Sequence, residues 1–324
     1  MKKLNLLFTA LVASSIMGMT ACEDTTVTSI GILQIATHDA LDACKTGFIN
    51  ELAAEGFVDG ENIEINFQNP EGDSAVQDSM ATNLAINSDM VFGISTSSAL
   101  ALKNSVEDLD KETPVLFSAV TDPISAGLVT SFTDHGNVVG TSDGGPTADN
   151  IDLFTEFDGI DKIGIMYNQA EPNSIIQKDE AQAECDAKGI TLVDGGVTAT
   201  TDIDSTLQNL IGQGIKGLFI PTDNTIAAAM SSMKEVIEAN DIVTVCADNL
   251  VTANGGSLGF SVDYEILGET TGKMAAKILN DEDISTIACS KSESFPLALR
   301  DDFFTTTEIA IPEAIQAILD SQGE

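Results

Sequence analysis

The sequence has 324 residues, of which 43% are hydrophobic, so the chain is long enough for two domains with cores of their own. It carries 51 Asp and Glu against 14 Lys and Arg, a formal net charge of −37. Such a surface repels polyanions, which excludes nucleic acid as a partner and adhesion of the folded surface to anionic lipid headgroups. The acids are spread along the chain, which favours a surface adapted to a saline medium.

The N-terminus combines two lysines, an apolar stretch and a cysteine. The lysines precede the mostly apolar residues 4–19, small residues lie before Cys22, and polar residues follow it. This order is typical of a bacterial lipoprotein signal, and the apolar stretch is short for a membrane span. We predict a signal peptide over 1–21, a lipid on Cys22, a tether over 22–27 and an extracytoplasmic body. The alternative is an ordinary signal peptide that contains a cysteine by chance.

From residue 28 onwards, the pattern alternates between strand and helix. Compact apolar or alternating stretches predict strands, and apolar residues at helical spacing predict helices. In chain order, the first half predicts strand 28–36, helix 38–56, strand 61–68, helix 73–87, strand 89–94, helix 97–109 and strand 114–120. This alternation favours parallel sheets flanked by helices.

Three segments of the second half repeat segments of the first half in the same order. The pairs are KIGIMY at 162–167 with SIGILQI at 29–35, GLFIPT at 217–222 with VFGIST at 91–96, and IVTVCAD at 242–248 with VLFSAVT at 115–121. The sequence therefore predicts an α/β fold with two similar lobes, each a parallel sheet flanked by helices, and a ligand cleft between them.

Turn-rich chemistry near residues 140–148 predicts the place where the chain passes from one lobe to the other. We predict further crossings at 249–256 and 262–265, after which the helix near 267–279 returns to the first lobe. The predicted lobes are 28–142 plus about 264–290, and 143–263 plus about 291–324.

Polar residues follow the predicted strands at their carboxyl ends, where ligands bind in open parallel sheets. We expect the two sets to face each other across the cleft and to contact the ligand. In the first lobe these residues are Thr37, His38, Ser95, Thr96, Ser97, Thr121 and Asp122. In the second lobe they are Asn168, Glu171, Asn173, Ser174, Thr222, Asp223, Asn224 and Asp248. Asp and Asn after strands also cap helices, so capping alone is the alternative role for several of them.

Two glycine motifs match nucleotide-binding patterns only in part. GQGIKG at 212–217 fits G-x-G-x-x-G, but it ends a predicted helix and leads into a strand, the reverse of what the fingerprint requires. GETTGK at 268–273 has one spacer too few for a P-loop, and Met274 stands where a hydroxyl must bind magnesium. We interpret the second motif as the start of a helix whose small residues pack closely.

The sequence holds two histidines and no recognisable catalytic or metal motif. His135 lies in a turn, where we expect solvent exposure, whereas His38 lies at a strand end, where ligand contact and helix capping are both open. There is no H-E-x-x-H pattern, no paired His/Cys spacing and no D-x-[DN]-x-[DN]-G calcium loop. The sequence therefore predicts no enzyme, no metal and no cofactor.

Four cysteines follow Cys22 and allow three disulfide pairings. Cys44 and Cys185 fall in predicted helices and Cys246 in a predicted strand, while Cys289 lies nearer the C-terminus. Buried free thiols and disulfides both remain open at this point.

Several stretches match one known family. They are ILQI at 32–35 with the helix after it, FSAVTDP at 117–123, GTSD at 140–143, YN at 167–168, PTDNT at 221–225 and the helix 268–279. In these stretches the chain resembles the ABC-transporter substrate-binding lipoproteins of the tryptophan/tyrosine-binding type, a branch of the type I periplasmic-binding-protein fold. The resemblance implies the solute-binding component of an importer that binds a free amino acid with an aromatic side chain and delivers it to an ABC permease. The alternatives are a receptor for a purine nucleoside or a sugar, and an extracytoplasmic enzyme.

The polar residues at the strand ends suit a free amino acid. The sole arginine, Arg300, lies outside these strand-end residues. We therefore expect the ligand carboxylate to be held by hydroxyls and by amides at the start of the helix after Ser95. Its ammonium needs a carboxylate, and we expect Asp223 to supply it, with Glu171 and Asp248 as alternatives. The sequence contains no Trp, so an aromatic partner for the ligand must be one of the two Tyr or the 14 Phe.

Overall fold

The computed structural model describes residues 27–323, so the predicted signal peptide and Cys22 lie outside the described residues. In chain order, the strands are β1 (Thr28–Gln34), β2 (Ile63–Gln68), β3 (Met90–Ile94), β4 (Val115–Val120), β5 (Val138–Ser142), β6 (Lys162–Asn168), β7 (Thr191–Val197), β8 (Gly217–Ile220), β9 (Val243–Cys246), β10 (Leu258–Phe260), β11 (Ser290–Lys291) and β12 (Leu297–Leu299). The helices are α1 (Asp39–Ala54), α2 (Ser74–Asn87), α3 (Thr96–Asp108), α4 (Thr147–Asp152), α5 (Pro172–Lys188), α6 (Ile203–Gly212), α7 (Asn224–Ala239), α8 (Asn249–Asn254), α9 (Tyr264–Leu279), α10 (Asp301–Thr307) and α11 (Glu313–Gln322).

The strands form two six-stranded sheets with the same order. The first sheet runs β2-β1-β3-β4-β5-β11 and the second runs β7-β6-β8-β9-β10-β12. Neighbouring strands are parallel except for the antiparallel pair β10–β12. The first lobe is the first sheet with α1, α2, α3 and α9, and the second lobe is the second sheet with the remaining helices. The predicted fold class, two similar α/β lobes with helices on parallel sheets, is confirmed.

Each lobe has a hydrophobic core of its own. β3 and β4 are buried along their whole length, as expected for strands covered by helices on both faces. In the first core the rings of Phe48 and Phe92 stack with centroids 4.1 Å apart. In the second core Phe303 packs edge-on against Phe304 at 5.1 Å. The two cores share no buried residue, so the lobes are separate packing units joined by the crossing segments.

The chain passes between the sheets three times within the described residues. The crossings lie between β5 and α4, between β10 and α9, and between β11 and β12. The prediction of a crossing at 249–256 is wrong. Asp248 caps the short helix α8, which leads into β10 of the same sheet.

Helices α1 and α9 pack closely because glycines line their contact. A Cβ on Gly268 would overlap the carbonyl oxygen of Cys44, and a Cβ on Gly272 would crowd the carbonyl oxygen of Phe48. The interpretation of residues 268–273 as closely packed helix is therefore confirmed. The motif at 212–217 ends α6 and precedes β8, also as predicted.

The structure also shows whether His135 and the four cysteines after Cys22 are buried. His135 is 6% exposed, so its predicted exposure is wrong. The amide of Val138 donates a hydrogen bond to the carbonyl of His135 and so closes the turn. The imidazole ring of His135 is buried, and neither of its nitrogens has a partner among the described residues. The four cysteines after Cys22 are free and buried. Between residues 27 and 323, no helix has the length and apolar character that crossing a membrane requires.

Candidate functional site

A narrow cavity of about 280 Å³ lies between the two lobes. Its lining comes from both of them and from the crossing segments: His38, Leu41, Ala119, Asp143, Asn173, Thr222, Asp223, Asn224, Ala227, Asp248 and Tyr264. Six of these residues are predicted from the sequence, namely His38, Asn173, Thr222, Asp223, Asn224 and Asp248. Five are not: Leu41, Ala119, Asp143, Ala227 and Tyr264.

A larger open groove of about 1030 Å³ lies elsewhere on the second lobe. Lys216 and Asp241 on its wall precede β8 and β9, so the groove is at the amino ends of the strands. Ligands of open parallel sheets bind at the carboxyl ends, where the narrow interlobe cavity lies. The interlobe cavity is therefore the candidate ligand site in spite of its smaller volume.

The Glu171 carboxylate fixes the orientation of Asn224. It accepts hydrogen bonds from the amide and side chain of Asn224, at 3.0 and 2.6 Å, and from the amide and hydroxyl of Thr225, at 3.0 and 2.8 Å. Because the Asn224 Nδ2 donates to Glu171, its Oδ1 faces His38 Nε2 at 3.2 Å in the other lobe. A carbonyl oxygen only accepts, so Nε2 of His38 carries the hydrogen. The buried Nδ1 atom of His38 has no partner within residues 27–323.

Asp223 has both carboxylate oxygens occupied by protein donors. Oδ1 accepts from the amide of Ile226 at 2.8 Å and caps α7, while Oδ2 accepts from the Asn168 amide at 2.5 Å and the Ser174 hydroxyl at 2.7 Å. Burial and the neighbouring Glu171 raise the pKa of Asp223 to about 7. The geometry therefore does not favour the expected pairing of Asp223 with a ligand ammonium. Glu171 is excluded on the same ground, since it is saturated by Asn224 and Thr225.

Asp248 has one oxygen available to a ligand. Its Oδ1 caps α8 by accepting from the amides of Leu250 and Val251, at 2.7 and 3.2 Å. Its Oδ2 accepts no hydrogen bond from any residue between 27 and 323, and the side chain lines the cavity. Burial raises the pKa of Asp248, while the nearby His38 lowers it. A cationic ligand group placed here stabilises the charged form.

Asp143 and Tyr264 meet at the cavity from two different crossing segments. The Tyr264 hydroxyl donates to Asp143 Oδ2 at 3.0 Å, and burial together with Asp143 raises the pKa of Tyr264 well above its usual value. The phenol is therefore a neutral donor. Burial raises the pKa of Asp143 to about 6, although the hydroxyls of Tyr264 and Thr121 lower it. Asp143 Oδ1 is buried without a partner in the described part of the chain, so it is a second acceptor at the cavity.

Three carboxylates line the cavity, and neither Lys nor Arg is part of its lining. Arg300 is buried inside the second lobe, where it donates to the Gly256 carbonyl at 2.6 Å and pairs with Glu238 at 2.8 Å. No lysine or arginine side chain therefore compensates the carboxylates of the cavity lining. Among residues 27–323, no group of three His, Cys, Asp or Glu is arranged to hold a metal ion.

Helix α1 presents an N-terminus without a side-chain cap. His38 is its N-cap residue and makes no capping bond, whereas Asp223 and Asp248 cap α7 and α8. The amides of Ala40 and Leu41 make no hydrogen bond to the rest of residues 27–323, and Leu41 lines the cavity. Unpaired amides and the helix dipole favour an anion at this end of α1. Acceptors for a cation and donors for an anion thus occur in one cavity.

The remaining predicted residues lie behind or outside the cavity. Asn168, Glu171 and Ser174 support Asp223 and Asn224 from behind. Thr37 is exposed and bonds side chains of the loop before α2. The Ser95 hydroxyl caps α3, and none of residues 95–97 lines the cavity. Asp122 accepts from two amides of its own turn. The expected carboxylate site at the start of α3 is therefore better placed at α1.

The lobes also bond to each other directly. The hydroxyl oxygens of Thr121, in the first lobe, and Thr222, in the second lobe, lie 2.9 Å apart. Gln177 on α5 contacts both hydroxyls, and these three residues are called the interlobe cluster below. Asn254 adds a bond of 2.9 Å to the exposed Asp39. The cleft is therefore closed around the cavity.

Two α/β lobes that close around a polar cavity define a solute-binding protein. The family model described as "ABC transporter substrate binding protein" matches residues 29–322. The chain therefore belongs to the ABC transporter substrate-binding proteins, as the resemblance in sequence implied. Proteins of this family bind small molecules outside the cytoplasm and work with membrane permeases.

Three relatives show the similarity in more detail. A Clostridioides difficile protein named tyrosine-binding protein is 32% identical over 277 residues, which cover 85% of this chain and 79% of the relative. An ABC domain from Streptococcus pneumoniae in complex with L-Trp is 29% identical, with a TM-score of 0.83 over 90% of this chain and 97% of that one. The ligand-free, open structure of a Clostridium difficile substrate-binding protein with adhesive properties is 35% identical, with a TM-score of 0.65 over 89% of this chain and 97% of that one. This chain thus superposes better on the L-Trp complex than on the ligand-free, open structure.

Proposed function

We propose that this chain binds a free amino acid with an aromatic side chain (tryptophan, tyrosine or phenylalanine) and delivers it to an ABC permease. One observation carries the proposal: the interlobe cavity holds available carboxylate oxygens together with the uncapped N-terminus of α1. A free amino acid has an ammonium and a carboxylate on one carbon, so it matches both features at once. The named tyrosine-binding relative and the neighbour in complex with L-Trp support the aromatic side chain.

In the proposed pose, the ammonium lies between Asp248 Oδ2 and Asp143 Oδ1. The carboxylate accepts from the amides of Ala40 and Leu41, and the ligand ring packs against Tyr264. Of the two tyrosines of the sequence, Tyr264 lines the cavity, whereas Tyr167 donates to the carboxylate of Asp194 on β7. Tyr264 is the aromatic side chain of the lining, so it is the natural partner for the ligand ring.

The chemistry of the cavity favours an amino acid over the alternatives, because a nucleoside or a sugar offers no ammonium for the two carboxylates. We also propose that the ligand leaves the site unchanged, so that the protein is a receptor and not an enzyme.

A thermal-shift screen of amino acids, nucleosides and sugars tests the proposal. A ligand present at a hundred times its Kd stabilises the folded state by about 2.7 kcal/mol, which raises the Tm by several degrees. We expect this response from one or more of the aromatic amino acids, with the ligand recovered intact by mass spectrometry. A response to nucleosides or sugars alone would contradict the proposal, and conversion of the ligand would favour the enzyme alternative.

We further propose that the chain is anchored through a lipid on Cys22, which follows the signal-like segment 1–21. The proposal rests on the sequence pattern, because these residues lie outside the described part of the chain. It agrees with a family that acts beside membrane permeases.

A further inference from the structure

Gln177 lies behind the cavity and contacts Thr222 twice. Its Oε1 accepts from the Thr222 amide at 3.1 Å, and its Nε2 donates to the Thr222 hydroxyl. The same Nε2 lies 3.4 Å from the hydroxyl of Thr121, which belongs to the other lobe. Gln177 is 2% exposed and is not part of the cavity lining. A carboxamide thus connects the two lobes without access to the ligand.

The backbone sets the direction of these hydrogen bonds. An amide N–H only donates, so the atom of Gln177 that faces the Thr222 amide must be the oxygen. The nitrogen then faces the two hydroxyls and donates to them. With its oxygen already accepting, the Thr222 hydroxyl can give its own hydrogen to Thr121 across the 2.9 Å contact between the lobes. The Gln177 carboxamide therefore supplies hydrogen-bond donors to both hydroxyls of the interlobe contact, one from each lobe.

We propose that Gln177 is a positioning residue that holds the lobes closed through Thr121 and Thr222, and that it thereby sets ligand affinity without contacting the ligand. A ligand bound by both lobes gains affinity from every contact that favours the closed form. The binding assay for this proposal rests on the proposed function. Its second readout, the radius of gyration of the ligand-free chain, needs no ligand.

The first experiment replaces Gln177 by a residue of similar length that cannot donate. Gln177→Met leaves the buried Thr222 amide without its acceptor and removes the Nε2 group that donates to both hydroxyls of the interlobe cluster. We expect about a tenfold loss of affinity for the aromatic amino acid that the wild type binds. The loss should appear as faster dissociation of the ligand, with the association rate nearly unchanged. Gln182→Met is the matched control, because Gln182 lies on the same helix and bonds only Asp186 within it. It should bind as the wild type does.

The second experiment reverses the polarity while keeping the shape. In Gln177→Glu, an ionised carboxylate still accepts from the Thr222 amide but offers no donor to the hydroxyls. Protonation restores one O–H donor, so the affinity relative to the wild type should recover as the pH falls from about 8 to about 5. Taking the ratio to the wild type at each pH cancels the effects of the ionisable side chains that face the cavity in both proteins, namely Asp143, Asp223, Asp248 and His38. A role that is only structural gives a ratio that does not change with pH.

A double-mutant cycle connects Gln177 to the other lobe. Thr121→Val should weaken binding about threefold to tenfold in the wild type and much less in the Gln177→Met background. Equal effects in both backgrounds, or Gln177→Met affinity within twofold of the wild type, would overturn the proposal.

If the wild type binds no aromatic amino acid, the proposed function fails, and small-angle scattering of the ligand-free chain still tests the positioning role of Gln177. The Gln177→Met variant should then have the larger radius of gyration, and equal radii would overturn the positioning role.

Discussion

Asp248→Asn tests the proposed ammonium site with little damage to the fold. Asparagine is as good an N-cap as aspartate, so its oxygen can continue to accept from the amides of Leu250 and Val251 at the start of α8. The volume is unchanged. What the substitution removes is the negative charge that Asp248 Oδ2 presents to the cavity.

The expected magnitude follows from the type of contact. A hydrogen bond to a charged group contributes about 1.5–3 kcal/mol, and every 1.4 kcal/mol is a factor of ten in Kd. Asp248 is buried, so solvent screens the contact weakly, but Asp143 remains as a second acceptor for the ammonium. We therefore expect Asp248→Asn to raise the Kd for the aromatic amino acid about tenfold to a hundredfold.

Isothermal titration calorimetry at pH 7.5 measures the effect, with Asp73→Asn as the matched control. Asp73 caps α2 with the same geometry, its oxygen accepting from two amides at 3.0 Å, but it is exposed and away from the cavity. The control should bind as the wild type does. A ligand analogue without the ammonium should bind the wild type weakly and should lose little more in Asp248→Asn. Equal Kd values for Asp248→Asn and the wild type would refute the reasoning and move the ammonium elsewhere.

Three further predictions concern other parts of the molecule. The raised pKa of Asp143, about 6, means that the folded ligand-free chain binds a proton more tightly than the unfolded chain. The unfolding free energy should therefore fall as the pH rises from about 4 to about 6, by about 3 kcal/mol from this group, and denaturant titrations of Asp143→Asn should show a smaller fall. Tyr264→Leu should weaken binding of an aromatic ligand about threefold to tenfold, whereas Tyr264→Phe, which keeps the ring, should retain the preference for aromatic over aliphatic amino acids in the same calorimetric assay. Cys22→Ser should move the protein from the membrane fraction to the soluble fraction, and a variant that stays membrane-bound would contradict the lipid anchor.

Much of the fold is readable from the sequence because it depends on local patterns. Alternating strands and helices give the parallel sheets, and the repeated segments give the second lobe. The crossing at 249–256 was mispredicted because its polar residues resemble a linker, whereas Asp248 uses them to start a helix of six residues. The buried position of His135 has no signal in its turn-like sequence.

The site is predictable only in part, because it forms between segments that are distant along the chain. His38 and Asp248 follow strands, so the rule for strand ends finds them. Asp143 and Tyr264 lie at two different crossings, and no local pattern shows that these crossings meet at the cavity. Thr121 and Thr222 are also at strand ends, but closure brings them together. The rule therefore identifies them correctly as facing residues, yet it does not show that they bond each other.

A crystal structure of the chain with L-tryptophan is the most direct test of the central claim. The account predicts a ligand between the lobes, with its ammonium within about 3 Å of Asp248 and Asp143 and its carboxylate at the amides of Ala40 and Leu41. The ring should pack against Tyr264. A ligand bound outside the interlobe cavity, or one with its carboxylate at α3 and its ammonium on Asp223, would contradict the account.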